Sequence, residues 1–486
     1  MIKLSMNMMR SARLLPIAGA LILAGCSTLA PDYARTDLPV PDEWQDQPNA
    51  QTQGLSTEQA MQVPWKDFIK DPRLAQIIEL ALNSNRSLRE TLADVESARA
   101  TYRIQKADLY PQIDAGLSGT RTKSSTGDIS TTYEAEAGLS GYEIDLFGKN
   151  RSLTDAQMEA YLASAETAKA AKITLIGEIA NAWLTLAADS NLLSLAEETT
   201  ANAHKTMDIT NKRLELGVDS RIDVASAETI YYSARSDIAS YTTQVSQDKN
   251  ALRLLVGEQF DDSLLAQALP KSETLVTDVP AGLSSTVLLE RPDVLSAEHN
   301  LKSANANIGA ARAAFFPTLS LTATGGLASS VLSDIFTGGA SSIWTIAPNI
   351  TLPIFNGGAN DANLAYSEAQ QKKYLAAYEY AIQSAFSEVA DTLARRATIQ
   401  DQLDAQDALV TAASRSYDLS LARYKGGVDS FQNALEAQRT MYSAKQSFIT
   451  TRRIDLNNRI TLYRVLGGGL ADLSSDSNSN SEQDES

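Results

Sequence analysis

Apolar side chains recur at intervals of three and four residues through two very long stretches of the chain. An example is the series Ile173, Ile176, Ile179, Trp183 and Leu186. This spacing places apolar side chains on one face of an α-helix. The stretch 150–216 contains one glycine and no proline, and the stretch 359–425 contains neither. The pattern predicts long helices at about 149–216 and 359–425, each roughly 100 Å long at 1.5 Å per residue.

Shorter segments carry the same helical pattern. They lie at about 86–109, 218–256, 292–315 and 428–466. In each half, the helix after the long one and the short helix before it together match the length of the long helix. The lengths predict that one long helix packs antiparallel against two shorter helices stacked end to end.

Between the short and the long helices, polar and apolar side chains alternate instead, which is typical of two-faced β-strands. The alternation predicts β-hairpins at about 111–147 and 317–355. Turn-forming residues join the strands of each pair, at 126–128 and 337–339. In the first hairpin the phase of the alternation slips before Tyr142, and Gly141 is the residue expected to host a bulge.

The chain contains an internal duplication. Gly-Val-Asp-Ser occurs at 217–220 and again at 427–430, 210 residues later, and Tyr-Ser-Ala recurs at 232–234 and 442–444 with the same offset. One structural plan is therefore built twice. The predicted organisation is a first repeat at 71–267, an equatorial linker at 268–290 and a second repeat at 291–470.

The N-terminus reads as a secretory signal. Three basic residues precede a mostly apolar stretch at 14–22, and Leu-Ala-Gly-Cys follows at 23–26. This predicts a cleaved signal peptide at 1–25, a lipid on Cys26 and an extended lipidated segment at 26–70. Cys26 is the only cysteine, so the sequence offers no disulfide and no cysteine metal site. The acidic, serine-rich tail at 471–486 is expected to be disordered.

The net charge of −17 becomes −20 once residues 1–25 are removed, and such a polyanion is an unsuitable partner for nucleic acid. After the leader, no run approaches the roughly 18 apolar residues of a membrane helix. The chain is therefore either periplasmic or crosses a membrane as β-strands. One interpretation of the four predicted strands is a soluble four-stranded sheet. A membrane barrel needs about eight, so several chains would have to share one.

Several motifs now carry a resemblance. They are Asp-Pro-Arg-Leu at 71–74, Tyr-Glu-Ile-Asp-Leu-Phe-Gly at 142–148, Arg-Pro-Asp at 291–293, Ala-Glu at 297–298 and Phe-Pro at 316–317. With these motifs in this order, the sequence resembles the outer-membrane efflux channel lipoproteins of tripartite RND-type pumps, the OprM-like (NodT) branch of the TolC family. Each motif also has an architectural explanation, since Arg-Pro-Asp opens a helix and Phe-Pro ends one.

The resemblance implies an α+β fold in a homotrimer. Twelve β-strands, four from each chain, would form an outer-membrane β-barrel, and the long helices would continue it as a periplasmic α-barrel. It further implies a lipid-anchored protein in contact with outer-membrane lipid, a periplasmic adaptor (membrane fusion) protein and an inner-membrane RND-type pump. No cofactor is implied apart from the covalent lipid on Cys26.

The repeated Gly-Val-Asp-Ser motif reads as a helical hairpin tip. Gly217 and Gly427 suit left-handed helix ends, and Ser220 with Asp223 resembles a capping box, as Ser430 with Asn433 does less well. The resemblance assigns adaptor docking to four residues. They are Gly217, Val218, Gly427 and Val428.

The resemblance also assigns a gate just inside the second tip, at Gln432, Asn433 and Glu436. Threefold symmetry would bring three Glu436 carboxylates together, which favours cation binding. Asp223 and Tyr424 align with positions that hold neighbouring helices closed. The alternative is an ordinary exposed helix glutamate. TolC itself has an arginine after the second turn where this chain has Asp429, so Arg221 or Arg423 would have to replace its salt bridge.

No catalytic constellation is recognisable. His204 and His299 are predicted on different helices, and no phosphate-binding loop or nucleophile motif occurs. Three hypotheses follow. A passive export duct for drugs or other small toxic molecules explains the duplication, the strands and the anchor. A coiled-coil spacer leaves the strands unexplained, and an enzyme lacks candidate residues. Within the duct hypothesis, the alternative is a type I-like protein or heavy-metal export channel.

Overall fold

The computed structural model describes residues 28–36, 38–44, 63–277 and 284–468. The predicted signal peptide at 1–25, the predicted lipid site Cys26 and the predicted tail at 471–486 lie outside the described residues. Parts of the predicted segments 26–70 and 268–290 lie outside them as well.

The two halves of the chain share a core order of short helix, two strands, long helix and return helix, and each half adds short elements of its own. The first half contains α1 Trp65–Phe68, α2 Pro72–Ser84, α3 Arg86–Ala107, β1 Asp114–Lys123, β2 Ile129–Ile144, α4 Lys149–Glu215, α5 Arg221–Val256, a 3-10 turn Asp262–Leu264 and α6 Ser272–Leu275. The second half contains a 3-10 turn Ser285–Glu290, α7 Pro292–Ala313, β3 Thr318–Ser329, α8 Asp334–Thr337, β4 Ser341–Thr351, α9 Ala359–Lys425 and α10 Phe431–Val465.

Matching helices have matching lengths. The long helices α4 and α9 have 67 residues each. The short helices α3 and α7 have 22 each, and the return helices α5 and α10 have 36 and 35. The predicted α+β fold class, with long helices, four strands and an internal duplication, is confirmed.

The short helices α3 and α7 end two residues before the predicted positions 109 and 315. Beyond Ala107 and Ala313 the chain makes tighter bonds that span three residues, as in Tyr110 N–H to the Ala107 carbonyl at 3.0 Å. The prolines at 111 and 317 explain this, since the residue before a proline avoids the α-helical conformation. Among the described residues, no helix contains an apolar stretch long enough to cross a membrane.

The chain divides into two units, and the first comprises 1–37, 94–165 and 296–379. Its sheet is antiparallel in the order β1-β2-β3-β4. The register of β2 against β3 shifts between Leu139 and Tyr142, and Gly141 has a φ of 67°. The bulge predicted at Gly141 is therefore confirmed. Pro348 on β4 pairs with Leu321 on β3.

In the same unit, the segment 28–36 runs along α7. Arg312 Nη1 donates to the Leu29 carbonyl at 3.2 Å, and Arg35 Nη2 lies 2.5 Å from Glu298 Oε2. Glu298 is only 2% exposed. Burial acts to raise the pKa of Glu298, but hydrogen bonds from Arg35 and Lys302 outweigh it, and the pKa is lowered. The Ala-Glu motif at 297–298 therefore holds the N-terminal segment.

The second unit comprises 38–93, 166–295 and 380–486. Its core contains the fully buried Trp183, whose Nε1 donates to the Leu264 carbonyl at 3.0 Å. Phe68 and Tyr463 stack with ring centroids 3.9 Å apart. These contacts bring α1, α4 and α10 together with the connection that follows α5.

Each return helix ends beside the start of a short helix. Gly257, with a φ of 82°, follows α5, and a Cβ there would lie 2.5 Å from the Ser84 carbonyl oxygen, just before α3. In the second half, Arg291 precedes α7, and its Nη1 donates to the Val465 carbonyl at the end of α10 at 2.5 Å. These two junctions agree with the predicted end-to-end arrangement and give the Arg-Pro-Asp motif an architectural role.

Candidate gate and docking site at the helix tips

The first tip, residues 213–223, joins α4 to α5. Gly217 has a φ of 74°, which a side chain would strain. The Gly217 N–H donates to the Leu214 carbonyl at 2.9 Å, and the Val218 N–H donates to the Arg213 carbonyl at 2.8 Å. These two bonds satisfy carbonyls at the end of α4 in the manner of a Schellman motif.

The second tip, residues 423–433, joins α9 to α10 and has the same backbone. Gly427 has a φ of 72°, and the Val428 N–H donates to the Arg423 carbonyl at 2.9 Å. Val218 and Val428 are 61% and 66% exposed. Two equivalent tips therefore each present an apolar side chain to solvent.

The caps of the two return helices differ. At the first tip, the Asp223 N–H donates to Ser220 Oγ at 3.2 Å, and the Ser220 N–H donates to Asp223 Oδ2 at 2.8 Å. This is a complete capping box, as predicted. At the second tip, the Ser430 side chain makes no capping bond. The weaker expectation for Ser430 with Asn433 is wrong.

Asp219 organises the first tip. Its carboxylate accepts a hydrogen bond from Arg213 Nε at 3.0 Å and another from the Tyr424 hydroxyl. The Tyr424 hydroxyl also lies 3.1 Å from Thr210 Oγ1. The network joins the end of α4 to the end of α9 across 205 residues of sequence.

Tyr424 is 1% exposed, and its ring packs beneath the Arg213 guanidinium at 4.7 Å from the centroid. Burial, followed by the hydrogen bond to Asp219, raises the pKa of Tyr424 to about 12. Tyr424 also belongs to the tip cluster, a set of buried side chains from α5, α9 and α10. The tip cluster comprises Ala227, Tyr424, Phe431, Ala434 and Leu435.

At the second tip, Arg423 Nε pairs with Asp429 Oδ2 at 2.5 Å. This pair occupies the same repeat positions as Arg213 with Asp219, but it is more exposed. The hydrogen bond from Arg423 lowers the pKa of Asp429, and a bond from the Asn433 side chain contributes in the same direction. Arg423 therefore interacts with the Asp429 of its own chain.

Known proteins resemble this chain over most of its length. A family model described as "Outer membrane efflux protein" matches residues 77–258 and 283–468. The two matches together span most of the chain. The chain belongs to the outer membrane efflux protein family.

The chain is similar to efflux proteins over nearly the whole length of each. The chain is 42% identical to the probable efflux pump outer membrane protein TtgC of Pseudomonas putida, over 93% of this chain and 94% of that protein. It is 40% identical to the outer membrane protein OprJ of Pseudomonas aeruginosa, over 93% and 94%. The open state of the MtrE outer membrane channel of Neisseria gonorrhoeae matches with a TM-score of 0.83, 36% identity and coverage of 91% and 99%.

These matches identify the chain as an outer-membrane efflux protein with a role in transport. His204 is on α4 and His299 is on α7. His204 Nδ1 is 3.1 Å from Asp208 Oδ2, and His299 Nδ1 is 2.6 Å from Glu159 Oε2. Each histidine pairs with a carboxylate of its own.

The structure places the five predicted gate residues in two groups. Gln432, Asn433 and Glu436 are exposed on the first turns of α10, and Asn433 bonds to Asp429. Asp223 and Tyr424 do not share a partner. Asp223 completes the cap of α5, whereas Tyr424 bonds to Asp219.

Sequence patterns did not predict the network of Thr210, Arg213 and Asp219. One signal was available. Arginine and aspartate stand six residues apart across both turns, at 213 and 219 and again at 423 and 429. A pair that recurs at the repeat offset indicates a contact that both tips share.

Proposed function

We propose that three copies of this chain form the outer-membrane exit duct of a tripartite efflux pump. Membership of the outer membrane efflux protein family and the four antiparallel strands support this assembly. Three copies supply twelve strands, which exceeds the roughly eight that a membrane barrel needs. The duct passes drugs or other small toxic molecules outward and uses no energy of its own.

In this proposal, Cys26 carries the lipid that anchors the chain to the outer membrane. The Leu-Ala-Gly-Cys sequence at 23–26 supports it. The segment that follows is held along α7 through Glu298 and Arg312. The anchor therefore joins the folded part of the chain through a docked segment.

Gly217, Val218, Gly427 and Val428 receive the helical hairpins of a periplasmic adaptor protein, which an inner-membrane RND-type pump accompanies. The observation that carries this assignment is the equivalence of the two tips. Both expose a valine, at 61% and 66%, on the same backbone turn. Exposed apolar side chains at repeated positions suit a partner that contacts each tip in the same way.

Gln432, Asn433 and Glu436 form the gate, and Asp223 and Tyr424 hold the helices around it. Gln432 and Glu436 are four residues apart, so they share an exposed face of α10. Three Glu436 carboxylates near a threefold axis repel each other and attract cations. The bond from Tyr424 to Asp219 keeps the two hairpins of one copy together.

Single-channel conductance in a planar bilayer tests the duct and the gate. The native trimer is compared with Glu436→Ala, with a Gln432, Asn433 and Glu436 triple alanine variant, and with Glu96→Ala. Glu96 is an exposed glutamate of α3 and serves as the matched control. We expect a small, cation-selective conductance that rises in both gate variants and stays unchanged in the control.

Two results would contradict parts of this proposal. A large conductance that the gate variants leave unchanged keeps the duct but excludes the gate. A purified trimer that conducts nothing excludes the duct and favours the structural spacer.

A further inference from the structure

The return helices α5 and α10 contact each other within one chain in a defined register. The Tyr442 hydroxyl donates to Asp237 Oδ2 at 2.9 Å, and Gln446 Nε2 donates to the Tyr241 hydroxyl at 3.1 Å. In both pairs the partners are 205 residues apart. Nearer the tip, Phe431 of α10 and Ala227 of α5 both belong to the tip cluster.

Side chains of α5, together with others from α4 and α9, bury one face of α10. Phe431, Leu435 and Gln438 are 3%, 2% and 3% exposed, and Tyr442 continues the same face. The internal duplication assigns each of these residues a counterpart 210 positions earlier, on α5. The counterparts are Arg221, Ala225, Glu228 and Tyr232, and all four are exposed.

The spacing of these four residues places them on one face of α5, at steps of four, three and four. We call this set the α5 stripe. Its α10 counterparts are covered within the chain, by α5 among other helices, whereas the α5 stripe is exposed. The duplication therefore leaves one half of a repeated contact unfilled.

We infer that the α5 stripe docks onto α10 of a neighbouring copy of this chain, with Tyr232 opposite Ser447 and Arg221 beside Glu436 of that copy. The register follows from the contact already present. Subtracting 210 from Tyr442 gives Tyr232, and adding 210 to Asp237 gives Ser447. The same shift relates Phe431 and Ala227, which share the tip cluster, to Arg221 and Ala437.

The inference rests on the proposed trimer and deepens it, because Glu436 is the proposed gate residue and Ala437 is its neighbour in sequence. Ser447 and Thr440, the counterpart of Ile230, are both exposed on α10 and available for this contact. The neighbouring copy therefore contributes Arg221 to the gate.

The two contacts differ in chemistry. Phe431 and Leu435 fill the contact within the chain, whereas Arg221 and Ala225 stand at their counterparts. Within the chain, Tyr442 bonds to Asp237. In the contact between copies, Tyr232 stands opposite Ser447, so a neutral hydroxyl replaces the carboxylate acceptor. The contact between copies is therefore the more polar of the two, and salt weakens its Arg221–Glu436 pair.

Cross-linking of cysteine variants with a short bismaleimide tests the register. One sample combines Tyr232→Cys and Ser447→Cys, and its control combines Asp237→Cys and Tyr442→Cys. Each pair is made once in a single chain and once as two co-expressed single variants. Single variants alone control for Cys26, which is present in every sample.

We expect the Tyr232 and Ser447 pair to give cross-linked dimers from the two co-expressed single variants, and dimers or larger species when both cysteines are in one chain. The Asp237 and Tyr442 pair should link only when both cysteines are in one chain, without increasing the mass on a denaturing gel. Native trimers in which the control links as expected but the Tyr232 and Ser447 pair does not would overturn the register alone. Chains that stay monomeric in membranes would contradict both this register and the proposed duct.

The contact of Arg221 with Glu436 is tested by conductance of Arg221→Ala, Glu436→Ala and the double variant. If the two residues act together, the double variant should conduct no more than the Glu436→Ala variant. Conductance changes that multiply in the double variant would overturn the pairing. Glu96→Ala combined with Arg221→Ala serves as the control for independent sites.

Discussion

The first and second tips carry the same arginine–aspartate ion pair in two different surroundings. The carboxylate of Asp219 is 7% exposed and that of Asp429 is 29% exposed, while Arg213 and Arg423 are 20% and 56% exposed. Asp219 accepts a further hydrogen bond from Tyr424 of the other hairpin. In the first hairpin, the position equivalent to Tyr424 is Leu214, which has no hydroxyl.

The difference separates two tasks that a duplicated tip can perform. The shared backbone turn, with its left-handed glycine and exposed valine, suits a partner that contacts both tips alike. The first tip is in addition bonded to the other hairpin and has a complete cap. The second tip lacks the cap and carries the candidate gate residues.

The largest expected effect follows from removing the ring that connects the tips. Tyr424→Ala empties a fully buried site and should destabilise the tips by about 3–5 kcal/mol, whereas Leu214→Ala, at the half-buried counterpart, should cost about 1–2 kcal/mol. Hydrogen exchange of amides in α5 and α10 measures the local opening free energy. Equal losses in the two variants would mean that Tyr424 has no special role in joining the hairpins.

A smaller contrast is expected between the two aspartates. Asp219→Asn weakens bonds to a charged arginine and to Tyr424 in a nearly buried setting, so we expect a loss of about 1.5–3 kcal/mol. Asp429→Asn changes a solvent-exposed ion pair and should leave stability unchanged. The same exchange measurement applies to both. A larger loss for Asp429→Asn would reverse the comparison.

The caps should differ by less. Ser220→Ala removes a capping box and should cost about 1 kcal/mol, with faster exchange in the first turn of α5. Ser430→Ala removes a side chain that makes no capping bond and should leave the first turn of α10 unchanged. A matching loss in both variants would indicate that Ser430 caps α10 in solution.

At neutral pH the Tyr424 hydroxyl is protonated in both the folded and the unfolded chain. Its contribution to stability therefore changes only in alkaline solution. The unfolded chain releases this proton near the ordinary value of 10.0, and the folded chain retains it up to about 12. The folded state binds more protons in that window, so the free energy of unfolding falls as pH rises from 10 to 12. Tyr424→Phe should lessen this fall, as thermal melting across the window would reveal. An unchanged slope would exclude Tyr424 as a source.

The helices and strands followed closely from the sequence because local signals specify them. Long runs without proline and almost without glycine define α4 and α9, and the prolines at 111 and 317 end α3 and α7. The capping box of Ser220 with Asp223 is similarly local, since its partners are three residues apart. At Ser430 the same reasoning failed, because Asn433 bonds to Asp429 instead.

The network around Asp219 could not be derived in this way. Its two hydrogen-bonding partners are six residues away in one case and 205 in the other. Which residue of α9 contacts Asp219 depends on how the two hairpins are aligned. The residue pattern of one helix does not specify that alignment. The repeated arginine–aspartate spacing indicated the shared part of the network, whereas Tyr424 belongs to one tip alone.

The equal length of α4 and α9 restricts how such a chain can change over evolutionary time. Each has 67 residues. Loss of one residue from only one of them would rotate everything beyond it by about 100° and shorten it by about 1.5 Å. The paired tips would then no longer align. Side chains at equivalent positions of the two repeats have therefore been able to diverge, as Tyr424 and Leu214 illustrate. An insertion or deletion in one long helix instead requires a matching event in the other.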